Sequence, residues 1–223
     1  KRNEISYKLN PKLKYYMKLY KSLGAWQFLF VLGFLIITGV TPHDRFTWLL
    51  EISWVVVGLF LIILLSRKGV FPTNLLAWLI TLHAFILIYG GWYTYERVPL
   101  GEWMKELFGF ERNHYDRIGH FAQGFIPAVL IREVLMRHHV VNGWGWLEFV
   151  VFAGCMAFTG IFEIIEFAAA KLFADASHAY LGSQGDIWDA QWDMLLCGVG
   201  AAVSILIFRR LHVELIENSG KLK

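Results

Sequence analysis

Six stretches of this sequence are apolar over nearly the full length that a bilayer demands of a helix, and that fact constrains the fold more than any other. They are residues 24–40, 47–65, 73–93, 118–136, 147–167 and 188–208. A helix needs about 20 mainly apolar residues to cross the hydrocarbon. Inside that hydrocarbon every backbone N–H and C=O must be satisfied within the segment, so such stretches become helices. The expected fold is therefore all-α: a polytopic membrane protein, one transmembrane domain over residues 1–223, built as a six-helix bundle. Composition agrees. Charged residues make up 17% of the chain, against about 25% in soluble domains. The 10 Trp, 18 Phe and 9 Tyr suit aromatic belts at two interfaces. Cys155 and Cys197 each lie in an apolar run without a neighbouring thiol, which argues against a disulfide framework or a thiolate zinc site. The basic start leads into a full-length apolar run with no small-residue cleavage site, which reads as a retained span.

Basic residues orient the spans. Lys1, Arg2, Lys8, Lys12, Lys14, Lys18 and Lys21 precede the first. Arg67 and Lys68 follow the second, Arg137, His138 and His139 the fourth, and Arg209, Arg210, Lys221 and Lys223 the sixth. With six spans these segments share one side, so both termini are expected in the cytoplasm. Residues 94–117 then form an outer loop. Within it Leu100, Trp103, Met104, Leu107 and Phe108 follow helical spacing. A short helix over about 99–109 is expected, either flat on the outer interface or packed as a loop helix.

The same topology gathers ionisable residues at the outer ends of the last three spans. At about 1.5 Å per residue, Glu163 and Asp193 lie roughly 7 Å outside the mid-plane, and His120, Glu166 and Asp189 roughly 12 Å outside it. Asp116, His120 and Gln123 share one helix face by their i, i+4, i+7 spacing. Asp186, Asp189 and Asp193 share another at i, i+3, i+7, and Glu163 and Glu166 are i, i+3 neighbours. Buried carboxylates cost about 2.5–3.5 kcal/mol each on insertion scales. Six acids this close need protons, cationic partners such as Arg117, or a bound cation. Carboxylates with imidazole suit Zn, Mn or Fe, and carboxylates alone suit Mg or Ca. The candidate ligands of a divalent metal (Zn, Mn or Mg) are Asp116, His120, Asp186, Asp189 and Asp193. Glu163 and Glu166 are the candidate general bases, and Arg117, Gln123 and Gln184 the candidate substrate contacts.

Plainer readings stand beside these. Asp186 follows Gly-Ser-Gln-Gly before a helix and also reads as an N-cap, with Asp189 favouring the helix dipole from the first turn. Asp193 is too deep for capping. Glu163 could be a protonated acid bonded between helices, His120 a satisfied core imidazole, and Asp116 with Arg117 an exposed pair. His114 is the weakest candidate ligand, and His83 reads as a packing residue. Glu51, near the outer end of span two, could join the rim. Pro127 should kink span four. Arg132 and Glu133 read as snorkelling groups or a structural pair. Gly198, Gly200, Ala201 and Ala202 read as close helix contacts.

Three stretches carry a family likeness: Asp116-Arg-Ile-Gly-His120-Phe-Ala-Gln-Gly, Phe162-Glu-Ile-Ile-Glu166-Phe and Gly182-Ser-Gln-Gly-Asp-Ile-Trp-Asp-Ala-Gln-Trp-Asp193-Met. They resemble the YjdF family of bacterial inner-membrane proteins over roughly residues 93–210, with the third the most specific. The order DxxxH, Glu, Asp on three consecutive spans is more distantly similar to VanZ-like proteins, which are associated with lowered sensitivity to glycopeptide antibiotics. The resemblance implies a multi-pass protein of the inner (cytoplasmic) membrane and supports the choice of residues; it supplies no reaction.

Three functions fit these residues. One is a metal-assisted hydrolase or transferase facing outward, acting on a lipid or envelope substrate. The second is a cation- or proton-coupled transporter, which would need a polar route continuing to the cytoplasmic side. The third is a structural or partner-binding membrane protein whose cluster fixes helix packing. The partners expected are membrane lipids and a second copy of the chain. Nucleic acid has no support, and no phosphate-cradling loop, Ser-His-Asp order or HExxH is present.

Overall fold

A computed structural model describes residues 11–172 and 183–218, with side chains from Gly24 onward. The basic residues before Gly24, together with Gly182, Lys221 and Lys223, therefore lie outside the described side chains. The described residues contain helices and no strand: α1 (Pro11–Val40), α2 (Arg45–Arg67), α3 (Asn74–Tyr93), α4 (Pro99–Phe108), α5 (Tyr115–Arg137), α6 (Trp144–Leu172) and α7 (Asp189–Asn218). Five of them, α2, α3, α5, α6 and α7, are long and apolar enough to cross a membrane. The apolar part of α1, Gly24–Val40, is shorter. Each of the six expected stretches falls on one of these helices. The helices run beyond the stretches, most at the N-terminus of α1 and the C-terminus of α7, because charged turns extend a helix into the interface where water and headgroups solvate them.

Local chemistry sets the ends. Asp44 caps α2 by accepting from the Thr47 amide at 2.7 Å. The Thr47 backbone and side-chain hydrogen bonds hold the Asp44 carboxyl below its usual value. Thr73 caps α3. Pro99 opens α4, and Gly109 closes it in the left-handed region at φ 68°. α5 runs through Pro127 as one helix. Exposed side chains such as Phe60, Ile164 and Leu206 cover the outside of the bundle, as a lipid-facing surface requires.

The bundle is organised around α5, its most buried helix. α7 packs along α5, α6 packs against both, and α3 joins α5 to α1 and α2. α5 and α7 meet backbone to backbone. A side chain at Gly124 would collide with the Cys197 carbonyl, and one at Gly200 with the Phe121 carbonyl. Ala201 and Gly200 thus make the close contacts read from the sequence, whereas Gly198 faces Met156 and Phe152 of α6. Small residues permit this approach where lipid provides no hydrophobic drive between helices.

The end of the bundle that carries Arg67, Arg137 and Arg209, here the basic end, is locked by buried polar groups. The Glu133 carboxylate accepts from the Thr73 amide at 2.9 Å and the Thr73 hydroxyl at 2.7 Å. It also meets His212 Nε2 at 3.0 Å and pairs with Arg137. Arg132, wholly buried, pairs with Glu148 at 2.7 Å. Arg132 and Glu133 are thus structural pairs rather than snorkelling groups, and they tie α3, α5, α6 and α7 together.

The Gly124–Gly200 contact yields a first expectation. Gly124→Leu and Gly200→Leu should each destabilise the bundle by about 3 kcal/mol or more, since overpacking here must force the two backbones away from each other. Gly58→Ala, where a Cβ meets nothing within 4 Å, should change stability by no more than about 1 kcal/mol, in the stabilising direction. Thermal unfolding in mild detergent compares the three. Equal melting of all variants would mean that the α5–α7 crossing is not a fixed contact.

Candidate metal centre

One turn from Gly124 along α5 stands His120, and two turns from Gly200 along α7 stands Asp193. The close crossing therefore brings these side chains together. His120 Nε2 lies 3.6 Å from Asp116 Oδ1 and 3.8 Å from Asp193 Oδ2. On the other side of the ring, Nδ1 lies 3.8 Å from Glu163 Oε1 of α6. Asp193 is 2% exposed and His120 5%. The Asp193 Oδ1, Glu163 Oε1 and His120 Nδ1 atoms are buried without a hydrogen-bond partner. Phe162 meets the imidazole edge to face, ring centres 5.8 Å apart.

These separations are informative. They exceed hydrogen-bond range. Ligand atoms about 2.1 Å from one metal ion stand about 3–3.4 Å from each other. Asp116, His120 and Asp193 each offer one donor atom, all within 4.8 Å of one another. Closing this set around a cation would draw the most widely spaced pair together by about an ångström, within reach of side-chain rotation. His120 would use Nε2, leaving Nδ1 for Glu163, the arrangement by which carboxylates commonly orient a ligating imidazole.

The remaining sequence candidates take other places. Asp189 pairs with Arg112 at 2.6 Å. Asp186 accepts from Arg117 at 2.9 Å and lies 3.6 Å from Arg112. Its other oxygen accepts from the Trp188 amide at 2.9 Å, a turn two residues ahead of Trp188, whose carbonyl opens α7, so Asp186 precedes the helix instead of capping it. Both carboxylates are engaged by guanidinium groups outside the triad. Arg117 also lies over Trp192, 5.6 Å from the ring centre, and is not an exposed pair with Asp116. Gln123 is buried beside His120. Gln184 lies apart: its amide bonds both ways with the Asn113 backbone, at 2.9 and 3.0 Å. Glu166 stands close enough to Asp116, Glu163, Glu51 and Asp193 to interact with all four. Glu51 is buried at this rim as expected.

Three groups went unnoticed in the sequence. Arg112 sits in the loop between α4 and α5 among compensating acids and shows no periodicity, yet it binds Ser183 O, Asp186 and Asp189. Asn113 donates to Val98 O and Glu102, and Gly101 leaves the room it occupies. Tyr95 folds back over Gly90 and Gly119. Burial first, then Glu51 and other nearby groups, pushes its phenol well above the usual value. It stays protonated beside Glu51. The Gly90-Gly91 pair was the available signal. Burial, then Arg117 and Arg112, holds the His114 imidazole below its usual value, which keeps it neutral against Phe110.

Seven carboxyls (Glu51, Asp116, Glu163, Glu166, Asp186, Asp189 and Asp193) thus face two guanidinium groups. The pairs can be ranked by burial. Arg112 and Asp189 side chains are 11% and 10% exposed, Arg117 and Asp186 23% and 22%. Arg112→Ala should cost about 3–5 kcal/mol by stranding a buried carboxylate. Arg117→Ala, whose partner keeps Arg112 nearby, should cost about 1–2 kcal/mol. Thermal unfolding of both variants tests the order, and a reversed ranking would show that Asp189 does not depend on Arg112.

Comparison with known proteins gives the chain a family. A family model described as "Predicted membrane protein (DUF2238)" matches residues 23–214. The chain is 40% identical over 187 residues to "Inner membrane protein YjdF" of Escherichia coli (strain K12), covering 83% of this chain and 88% of that protein. No solved structure matches. The YjdF resemblance is borne out, while nothing in these matches supports the distant VanZ-like one. With its apolar helices, the match makes this a multi-pass protein of the inner (cytoplasmic) membrane, and the chain belongs to the DUF2238 family of membrane proteins.

Proposed function

We propose that the protein is a divalent-metal-dependent enzyme of the inner membrane, with six spans, both termini cytoplasmic and its site at the outer leaflet. The single observation carrying this reading is the Asp116–His120–Asp193 triad, with donor atoms within 4.8 Å of each other and a partnerless buried oxygen on Asp193. A divalent cation of the Zn, Mn or Mg class would supply Lewis-acid polarisation of a phosphoryl or acyl oxygen, or activation of water. Within that frame Asp116, His120 and Asp193 are the ligands. Glu163 fixes the imidazole through Nδ1. Glu166 is the carboxylate left to act as general base. Arg117, at the rim and 23% exposed, would meet an anionic group of a lipid or envelope substrate. α4 supports a membrane-bound substrate: Trp103, Leu107 and Phe108 are exposed, which fits a helix resting on the interface.

A second reading, cation or proton transport, has one observation in its favour. Buried polar groups continue below the triad: Thr159, Cys197, Cys155 and Ser204, then Arg132 with its half-buried partner Glu148 near the basic end. Against it, α5 and α7 touch by backbone at that depth, and the Arg132 guanidinium opposes cation passage. A purely structural cluster leaves buried Asp193 and Glu163 oxygens without partners, which favours it least.

Metal analysis of protein purified without chelator tests the proposal. Wild type should carry about one equivalent of metal. His120→Ala and Asp193→Asn should lose it. Glu163→Gln should weaken affinity by about 10–100-fold, and Glu166→Gln should retain the metal. Absence of metal from folded wild type after incubation with Zn, Mn and Mg would refute the metal centre. Retention in folded Asp193→Asn would refute the ligand assignment.

A further inference from the structure

A second site lies at the basic end and owes nothing to the metal centre. Between the start of α6 and the last turns of α7 is a cavity of about 370 Å³, lined by Trp144, Arg209, Arg210, Val213 and Glu214. That is large enough for a headgroup-sized ligand. Arg209 is not a loose surface cation. Its guanidinium lies over the Trp144 ring, 5.5 Å from the centre, and its Nε is 3.7 Å from Glu148 Oε1. The other oxygen of Glu148 is clamped at 2.7 Å by wholly buried Arg132. One carboxylate is thus divided between two guanidinium groups, so Arg209 is oriented without being neutralised. Arg210 adds a second fork to the same wall and has no ion pair among the described residues. Counting Glu148 and Glu214 against Arg132, Arg209 and Arg210, the surroundings keep an excess positive charge.

We infer that this cavity binds the phosphate of an anionic phospholipid headgroup, held by Arg209 and Arg210 beside Trp144. Guanidinium forks match phosphate oxygens bidentately. The position selects a lipid over a soluble anion. Trp144 is the kind of amphipathic ring that settles at the headgroup level. The flanking helix surfaces expose Trp146, Phe149, Leu206 and Ile207, an apolar wall along which acyl chains can lie. Glu214, exposed at the mouth, disfavours a second negative charge and so favours a singly charged phosphodiester.

Native mass spectrometry on detergent-solubilised protein titrated with phosphatidylglycerol, phosphatidylcholine or inorganic phosphate tests this. Phosphatidylglycerol should be retained over phosphatidylcholine. Arg209→Gln with Arg210→Gln should weaken its retention about tenfold or more, the loss expected for charge-assisted phosphate contacts. Arg67→Gln with Lys68→Gln, an equal charge change elsewhere at the basic end, should leave it unchanged. Glu214→Gln, at an exposed position, should tighten retention a few-fold and serves if the arginine pair fails to fold. Equal loss in both pairs of variants would reduce the effect to general surface charge and overturn the site. Displacement of the lipid by millimolar inorganic phosphate would make it a soluble-anion site and overturn the lipid assignment. Retention unchanged in the folded arginine variants, or in Glu214→Gln, would also overturn it.

Discussion

The contact on which the rest depends is the backbone crossing of α5 and α7. Two glycines, Gly124 and Gly200, let carbonyl groups of one helix lie where a side chain of the other would stand. Nothing in lipid pushes these helices together, since apolar side chains gain little by leaving hydrocarbon for protein. Close packing must supply the attraction, and it does so only where both surfaces are nearly bare. The consequence reaches the chemistry directly. With the backbones in contact, the short side chain of Asp193 comes within 3.8 Å of His120. Moved apart by one methyl layer, the two could not serve as ligands of one metal ion.

Both ends of the bundle carry buried charge, and they solve its cost differently. At the basic end Glu133 receives donors from three helices and their connections, from Thr73, Arg137 and His212. Its charge is answered in full, and the site holds structure. At the opposite end seven carboxyls meet two guanidinium groups, which take Asp186 and Asp189. The excess falls on the deeper residues, where solvent helps least. A surplus of this kind needs protons or a cation, and that need separates the metal-centre reading from a wholly structural one. The straps at this end, Arg112 and Asn113 on the segment before α5, tie it to the segment before α7 and hold the charged mouth in one shape.

The basic end also shows how a structural pair can serve a surface. Arg132 and Glu148 are internal, yet Glu148 extends their influence to Arg209 at the rim. Order is transmitted outward through a shared carboxylate, and an interfacial arginine that would otherwise sample many rotamers is held over Trp144. The protein thereby presents different chemistry to its two interfaces: acids and an imidazole at one, guanidinium groups and indole at the other.

Much of this was legible in the sequence. Apolar stretches of bilayer length dictate helices because a lipid-embedded backbone has no other partner. Helical periodicity alone put Asp116 with His120 and Asp189 with Asp193 on common faces. The family-like motifs fell on the helices that build the site. What sequence could not decide was which acids would find cations. Arg112 and Asn113 act from an irregular loop, where no period announces a direction, and Arg112 removed Asp189 from the candidate ligands. Gln184 turned to the backbone for the same reason, because a loop amide follows local geometry rather than a helix face. Tyr95 reached Glu51 only because Gly90 and Gly119 left space for its ring. Periodicity fixes position along and around a helix. Contact between helices depends on how closely backbones approach, and tertiary packing alone sets that distance.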